Sequence, residues 1–193
     1  MVSLPPGPLP VRRLPEGATL YRAHRIGVDP VFFGPRGPHP VNRFDDPGGT
    51  FKVCYLGLHE AAALVEGVLH QPVATGYVTV ATLRERALAT LRALSPLRLV
   101  RLHGRHLLAL GADAGVIHGE DFARSQSWAA AIHAHPSNVD GILYSCRHDD
   151  SALAVALFDR ASAAVEVVES APLAPGDPRT LRLLARYGLG VIA

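Results

Sequence analysis

The chain has 193 residues, 48% of them hydrophobic and 19% charged, which is the composition of one globular domain able to bury a core without disulfides or metals. No window approaches the ~20 uninterrupted apolar residues of a membrane span, and Cys54 and Cys146 are too few for a disulfide framework or a thiolate zinc site. So few cysteines fit a reducing cytoplasm, and the formal charge of +2, which comes almost wholly from arginines interspersed with Asp and Glu, argues against a nucleic-acid surface.

Residues 1–19 are broken by prolines and lack the apolar stretch of a signal peptide, so they read as a flexible leader into a single domain spanning 20–193. LYRAH, from Leu20 to His24, is the first strand. Gly27 to Gly49 is rich in Gly, Pro and Asp and reads as a long loop bordering a site. Thr50 to Leu58 alternates as a strand, with Phe51, Val53 and Tyr55 on one side of the pleat. Glu60 to Leu69 follows as a helix, its apolar stripe formed by Ala61, Leu64, Val65, Val68 and Leu69. Glu66 falls roughly 130° from the centre of that stripe, toward solvent or a cleft.

Val78 to Ala81, Ala87 to Arg92 and Leu97 to Leu102 read as strands, and His103 to Leu110 and Phe122 to His133 as helices. Gly141 to Ser145, Leu153 to Phe158 and Ala163 to Glu169 are further strands, and Arg179 to Tyr187 is a short helix before the terminal GLGVIA. Strands outnumber helices and are mostly separated by turns rather than crossover helices, a pattern of α+β rather than a doubly wound parallel sheet.

Familiar site motifs are absent: there is no dinucleotide-binding G-x-G-x-x-G after a strand and no Walker A sequence. Ser145 lies in LYSCRHD, not in a G-x-S-x-G elbow, and His148 and Asp149 beside it do not make a triad by proximity in sequence. HEAAALVEGVLH holds two histidines eleven residues apart. His59, Glu66 and His70 share a rough stripe, but three turns separate the histidines, so no metal is expected; His59 starts the helix and His70 ends it. Taken singly, Arg22, Arg43, Tyr55 and Glu66 have ordinary structural readings as surface, loop, core and solvent-facing residues.

In order they are more specific. Arg22 in LYRAH, Arg43 in NRFDD, Tyr55 before the helix, Glu66 in AAALVE and Ser145 in GILYS resemble the RES domain, found in bacterial toxin–antitoxin modules. SQSWAAAIHAHP around Trp128, DGILYSCR and ALAVALFD extend the resemblance from about Leu20 to Phe158. Asn42-Arg43-Phe44 stands where the family usually has Gly-Arg-Trp, Asp45-Asp46 where a small polar turn is typical, and Cys146 separates Ser145 from Arg147.

The resemblance implies an α+β fold similar to ADP-ribosyltransferases, with split, curved, mostly antiparallel sheets, flanking helices and NAD+ in a cleft. It implies a toxin that consumes NAD+ by hydrolysis or phosphorolysis, with NAD+ as substrate rather than recycled cofactor and inorganic phosphate as an optional co-substrate. Transfer of ADP-ribose to a protein and a non-catalytic NAD+-binding module are the alternatives. The implied partner is an Xre-type helix-turn-helix antitoxin covering the active site; a homodimer is a further option, and neither nucleic acid nor membrane is expected. Cleavage of the nicotinamide–ribose bond passes through an oxocarbenium-like state. The expected roles are Glu66 for the growing cation, Arg22 and Arg43 for the pyrophosphate, Tyr55 for stacking on nicotinamide or ribose, and Ser145 for a hydrogen bond to NAD+.

Overall fold

Short apolar runs bounded by turns make the chain a strand protein whose central strands are buried at nearly every position, and the few stretches with helical spacing are laid against one face of its sheet. A computed structural model describes residues 2–69 and 76–193. The elements are β1 (Val11–Leu14), β2 (Thr19–Arg25), β3 (Val53–Gly57), α1 (Glu60–Gly67), β4 (Tyr77–Thr79), α2 (Val80–Arg84), β5 (Arg86–Ala93) and β6 (Leu97–Leu102). They continue with α3 (His106–Leu110), α4 (Gly115–His118), α5 (Phe122–Ala134), β7 (Gly141–Cys146), β8 (Asp149–Phe158), a 3-10 segment (Asp159–Ala164), β9 (Val165–Pro172), α6 (Pro178–Ala185) and β10 (Gly190–Ile192).

Eight strands form one sheet in the order β1-β6-β7-β8-β3-β2-β5-β9, antiparallel except for β6 and β7. The connections require this sheet to curl. β5 ends at Ala93 and β6 begins at Leu97, a link that reaches at most about 14 Å. In the sheet the two strands lie five positions apart, about 24 Å if it were flat. Curling explains how Leu20, Leu91, Leu97, Leu99, Leu143 and Leu157 are all buried on the face that carries no α-helix.

The other face holds the larger core. There Ala62, Leu64 and Val65 of α1 and Trp128, Ala129 and Ile132 of α5 meet Ile142, Tyr144, Ala154, Ala156 and Phe158 of the sheet. Each fully buried Leu or Val contributes about 1.5–3 kcal/mol, so α1, only eight residues long, is held by its packed face rather than by its own helix propensity. Local caps set other boundaries. Asp121 accepts from the Ala123 amide to start α5, and Asp177 accepts from Thr180 N ahead of Pro178 to start α6.

The α+β expectation and most predicted elements hold, with differences at the ends. Val11–Leu14, expected in the flexible leader, pair with β6 as an edge strand, because Leu14 buries in the curled core. The strand predicted over Val78 to Ala81 gives way at Val80 to α2, since Thr79 caps it by accepting from the Thr82 amide. The helix predicted from His103 starts only at His106, and the strand predicted over Ala163 to Glu169 shifts to Val165–Pro172. GLGVIA supplies β10, parallel to β4. The expected helix end at His70 lies outside the described residues. Among the described residues no helix is long and apolar enough to cross a membrane.

Candidate active site

β2 and β3 are neighbours in the sheet but pair only at Tyr21 and Gly57. β2 otherwise ladders along its whole length with β5, and β3 with β8, so the sheet splits where the two strands part. The gap is a pocket of about 490 Å³ lined by Arg22, Arg43, Tyr55, Glu66, Phe122 and Arg147, among others. Four of the five residues singled out in the sequence therefore share one cavity.

Two glycines let α1 close one wall. Gly57 ends β3 so tightly against the helix start that a Cβ would meet Ala63 N and His59 O, and a Cβ on Gly67 would collide with Ala23 of β2. Between them the helix presents Glu66 to the pocket, which decides the helical-wheel reading in favour of a cleft over open solvent. Its Oε2 accepts a 2.7 Å hydrogen bond from the Tyr144 hydroxyl, and the Cys146 thiol is a second donor. Burial raises the Glu66 carboxyl above its ordinary pKa, against the pull of those two hydrogen bonds and of the charges on Arg43 and His148.

Arg43 comes from the loop. Its guanidinium lies over the Phe122 ring at 4.6 Å and donates to Gly119 O at 2.9 Å. Burial and then the nearby charge of Arg147 lower its pKa, so the site holds closely set positive charge that an anion would relieve. Asp45 and Asp46 organise the loop. Asp45 Oδ2 accepts from Val41 N, Asn42 N and Asn42 Nδ2 at 2.8–3.0 Å. Asp46 accepts from Gly48 N at 2.9 Å, Thr50 Oγ1 at 2.7 Å, Phe51 N at 3.1 Å and the Thr50 amide. Phe44, where the resemblance has Trp, is fully buried with its ring edge-on to Tyr144 at 4.8 Å.

Two expected roles need adjustment. The Tyr55 hydroxyl is engaged within the chain, donating to Asp45 Oδ1 at 3.1 Å and accepting from Phe44 N at 2.9 Å, so it ties β3 to the Arg43 loop while its ring lines the pocket. Arg22 donates to Pro30 O and Phe32 O at 2.8 Å and touches Cys54 Sγ, anchoring the start of the long loop as well as lining the cavity. The Cys54 thiol beside it is pushed up to about 11 by burial.

Ser145 does not line this pocket. It is buried, with Oγ 3.5 Å from His118 Nε2. Tyr144 and Cys146, on either side of it, donate to Glu66 while Ser145 lies against His118; the pairing of β7 with β8 is irregular between Ser145 and Cys146. Sequence reasoning missed Tyr144, Cys146, Phe122, Arg147 and His148. The signal for Tyr144 was available, because GILYSC reads as a strand and choosing Ser145 for one face assigns the preceding residue to the other; Cys146 follows an irregularity in the ladder that no periodic pattern announces.

The RES domain profile matches residues 19–182, and the chain belongs to the RES domain family. A search among curated proteins finds no match. Among solved structures, a chain of the M. tuberculosis MbcT–MbcA toxin–antitoxin complex shares the fold with a TM-score of 0.69 at 19% identity, over 90% of this chain and 92% of that one.

Proposed function

We propose that the chain is a toxin-like enzyme that binds NAD+ and breaks its nicotinamide–ribose bond, releasing nicotinamide and passing ADP-ribose to water or phosphate. The observation that carries this reading is Glu66: a carboxylate held by Tyr144 and Cys146 at the wall of a pocket whose other polar lining includes Arg22, Arg43 and Arg147. In the reaction the C1′–N bond breaks with its electron pair going to the nicotinamide ring, which leaves neutral and needs no proton. The positive charge spreads over C1′ and the ring oxygen of the ribose. A fixed carboxylate in a site partly shielded from water stabilises that charge more than it stabilises ground-state substrate, where the charge lies on nicotinamide. Water or phosphate then bonds to C1′ and loses its proton to solvent.

Arg43 and Arg22 suit the pyrophosphate, because a planar guanidinium gives two charge-assisted donors at once. Arg43 is held over Phe122 and against Gly119 O, so little side-chain freedom remains to be lost on binding. Tyr55 supplies a ring face fixed at its far end by the loop. Membership of the RES family and the shared fold with a chain of a toxin–antitoxin complex support a toxin role with an antitoxin as partner. In this reading the toxin acts in the cytoplasm and the antitoxin is a helix-turn-helix protein that covers the pocket.

Incubating the purified protein with NAD+, with and without phosphate, and following nicotinamide by chromatography tests the reading. Free ADP-ribose identifies hydrolysis, a phosphorylated ADP-ribose identifies phosphorolysis, and label left on protein moves the reading to ADP-ribosyl transfer. No nicotinamide under any condition from folded protein overturns it.

A further inference from the structure

A second pocket of about 630 Å³ adjoins the first, sharing Arg22, Ala23, Val41, Asn42 and Tyr55 with it. A ligand lying against Glu66 that passes this neck enters a different environment. The walls are largely apolar, with Val28, Phe32, Pro35 and Val53, and Arg36 sits over the Phe32 ring at 5.2 Å. An aromatic face with a guanidinium across it is a setting for a flat base.

The far end of this pocket is cationic in an unusual way. Arg25 and Arg86 are directly paired across β2 and β5, an arrangement of like charges that destabilises the sheet. Arg86 Nε is buried without a hydrogen-bond partner within the chain, and the neighbouring acid is Glu85, next to Arg86 in sequence. Burial, then the charge of Arg25, lower the Arg86 pKa while Glu85 opposes them. Of the three buried side-chain nitrogens left unpaired among the described residues, Arg86 Nε is the one whose residue lines this pocket. A desolvated donor beside a second guanidinium is costly unless an anion completes it.

We propose that this second pocket holds the adenosine half of the dinucleotide and that Arg25 and Arg86 bind a phosphate carried on that half, so that the site favours a 2′-phosphorylated dinucleotide over the unphosphorylated one. The choice of ligand rests on the dinucleotide reading of the first pocket. The cationic pair stands independently of it.

Calorimetric titration with 2′,5′-ADP and with 5′-AMP, which differ only by the 2′-phosphate, tests this without requiring turnover. The wild-type protein is expected to bind 2′,5′-ADP roughly tenfold or more tighter than 5′-AMP, as one charge-assisted contact to a phosphate provides. Arg86→Met should erase the difference with little change for 5′-AMP. Should Arg86→Met melt at a much lower temperature, Arg25→Met, at the exposed end of β2, serves in its place and should narrow the gap. Equal affinity of the wild type for both nucleotides, no binding of either, or a preference that survives both substitutions overturns the proposal; equal affinity is also the outcome if the pair instead meets a carboxylate of a partner protein. Selective 2′,5′-ADP binding without nicotinamide release would retain this site and remove the proposed reaction. Nicotinamide release with no nucleotide preference would do the reverse.

Discussion

Glu66 and Arg43 face the same pocket but are held there by opposite means. Glu66 is fixed by regular structure: its helix is clamped between Gly57 and Gly67, and its carboxylate is met by side chains of a neighbouring strand. Arg43 sits in an irregular loop whose shape depends on two aspartates and on the hydroxyl of Tyr55. The negative partner is thus positioned by the fold, the positive one by a local polar network laid over it. Substitutions on the two sides should fail differently, the helix side in chemistry and the loop side in stability and binding.

The largest effect is expected at Glu66. Glu66→Gln keeps the shape and the hydrogen-bonding reach but removes the charge, and should lower kcat for nicotinamide release roughly 100-fold or more while NAD+ affinity changes little. A near-normal kcat measured by chromatographic assay would remove Glu66 from its assigned role. The loop side comes next. Asp46→Ala strands the Gly48, Thr50 and Phe51 donors, so it should cost about 2–3 kcal/mol in denaturant unfolding and raise KM more than it lowers kcat.

Burial pushes the Asp46 carboxyl up, but hydrogen bonds from Gly48, Thr50 and Phe51 bring it below its ordinary value. With the folded pKa depressed, the contribution is present above the unfolded Asp pKa of about 3.9 and is lost as pH falls through the lower folded value. Asp46→Ala should therefore flatten the acid end of the stability curve. A wild-type acid profile in that variant would show that the loop does not lean on Asp46.

The same contrast governs how much could be read from sequence. Helical spacing placed Glu66 off the apolar stripe and strand alternation found β3, because both are periodic signals set by burial. The order of Arg22, Arg43, Tyr55 and Glu66 was legible, and so was the α+β class. The split between β2 and β3 was not, since it depends on which strands pair far apart in sequence. The Asp45–Tyr55 tie was hidden for a related reason: Asp45-Asp46 reads as an ordinary polar turn until β3 is set beside it. Attention to Ser145 alone passed over its strand neighbours Tyr144 and Cys146, whose side chains meet Glu66.

Strand β7 gives the smallest predicted effects and the sharpest division. Tyr144→Phe removes one of the donors that hold the Glu66 pKa down against burial, so that pKa should rise further. Turnover that requires ionised Glu66 then loses its acid limb at a higher pH than in the wild type, while the rate on the alkaline plateau falls only a few-fold. A merely structural role for Tyr144 would lower the rate at every pH and leave the limb where it was. Ser145→Ala, one residue along and turned to His118, should leave the limb in place and change kcat/KM by about twofold or less, close to the scatter of ordinary substitutions. Equal limb shifts in the two variants would mean that the alternation along β7 does not divide its side chains as the hydrogen bonds indicate, and that the hydroxyl of Ser145 also acts on Glu66.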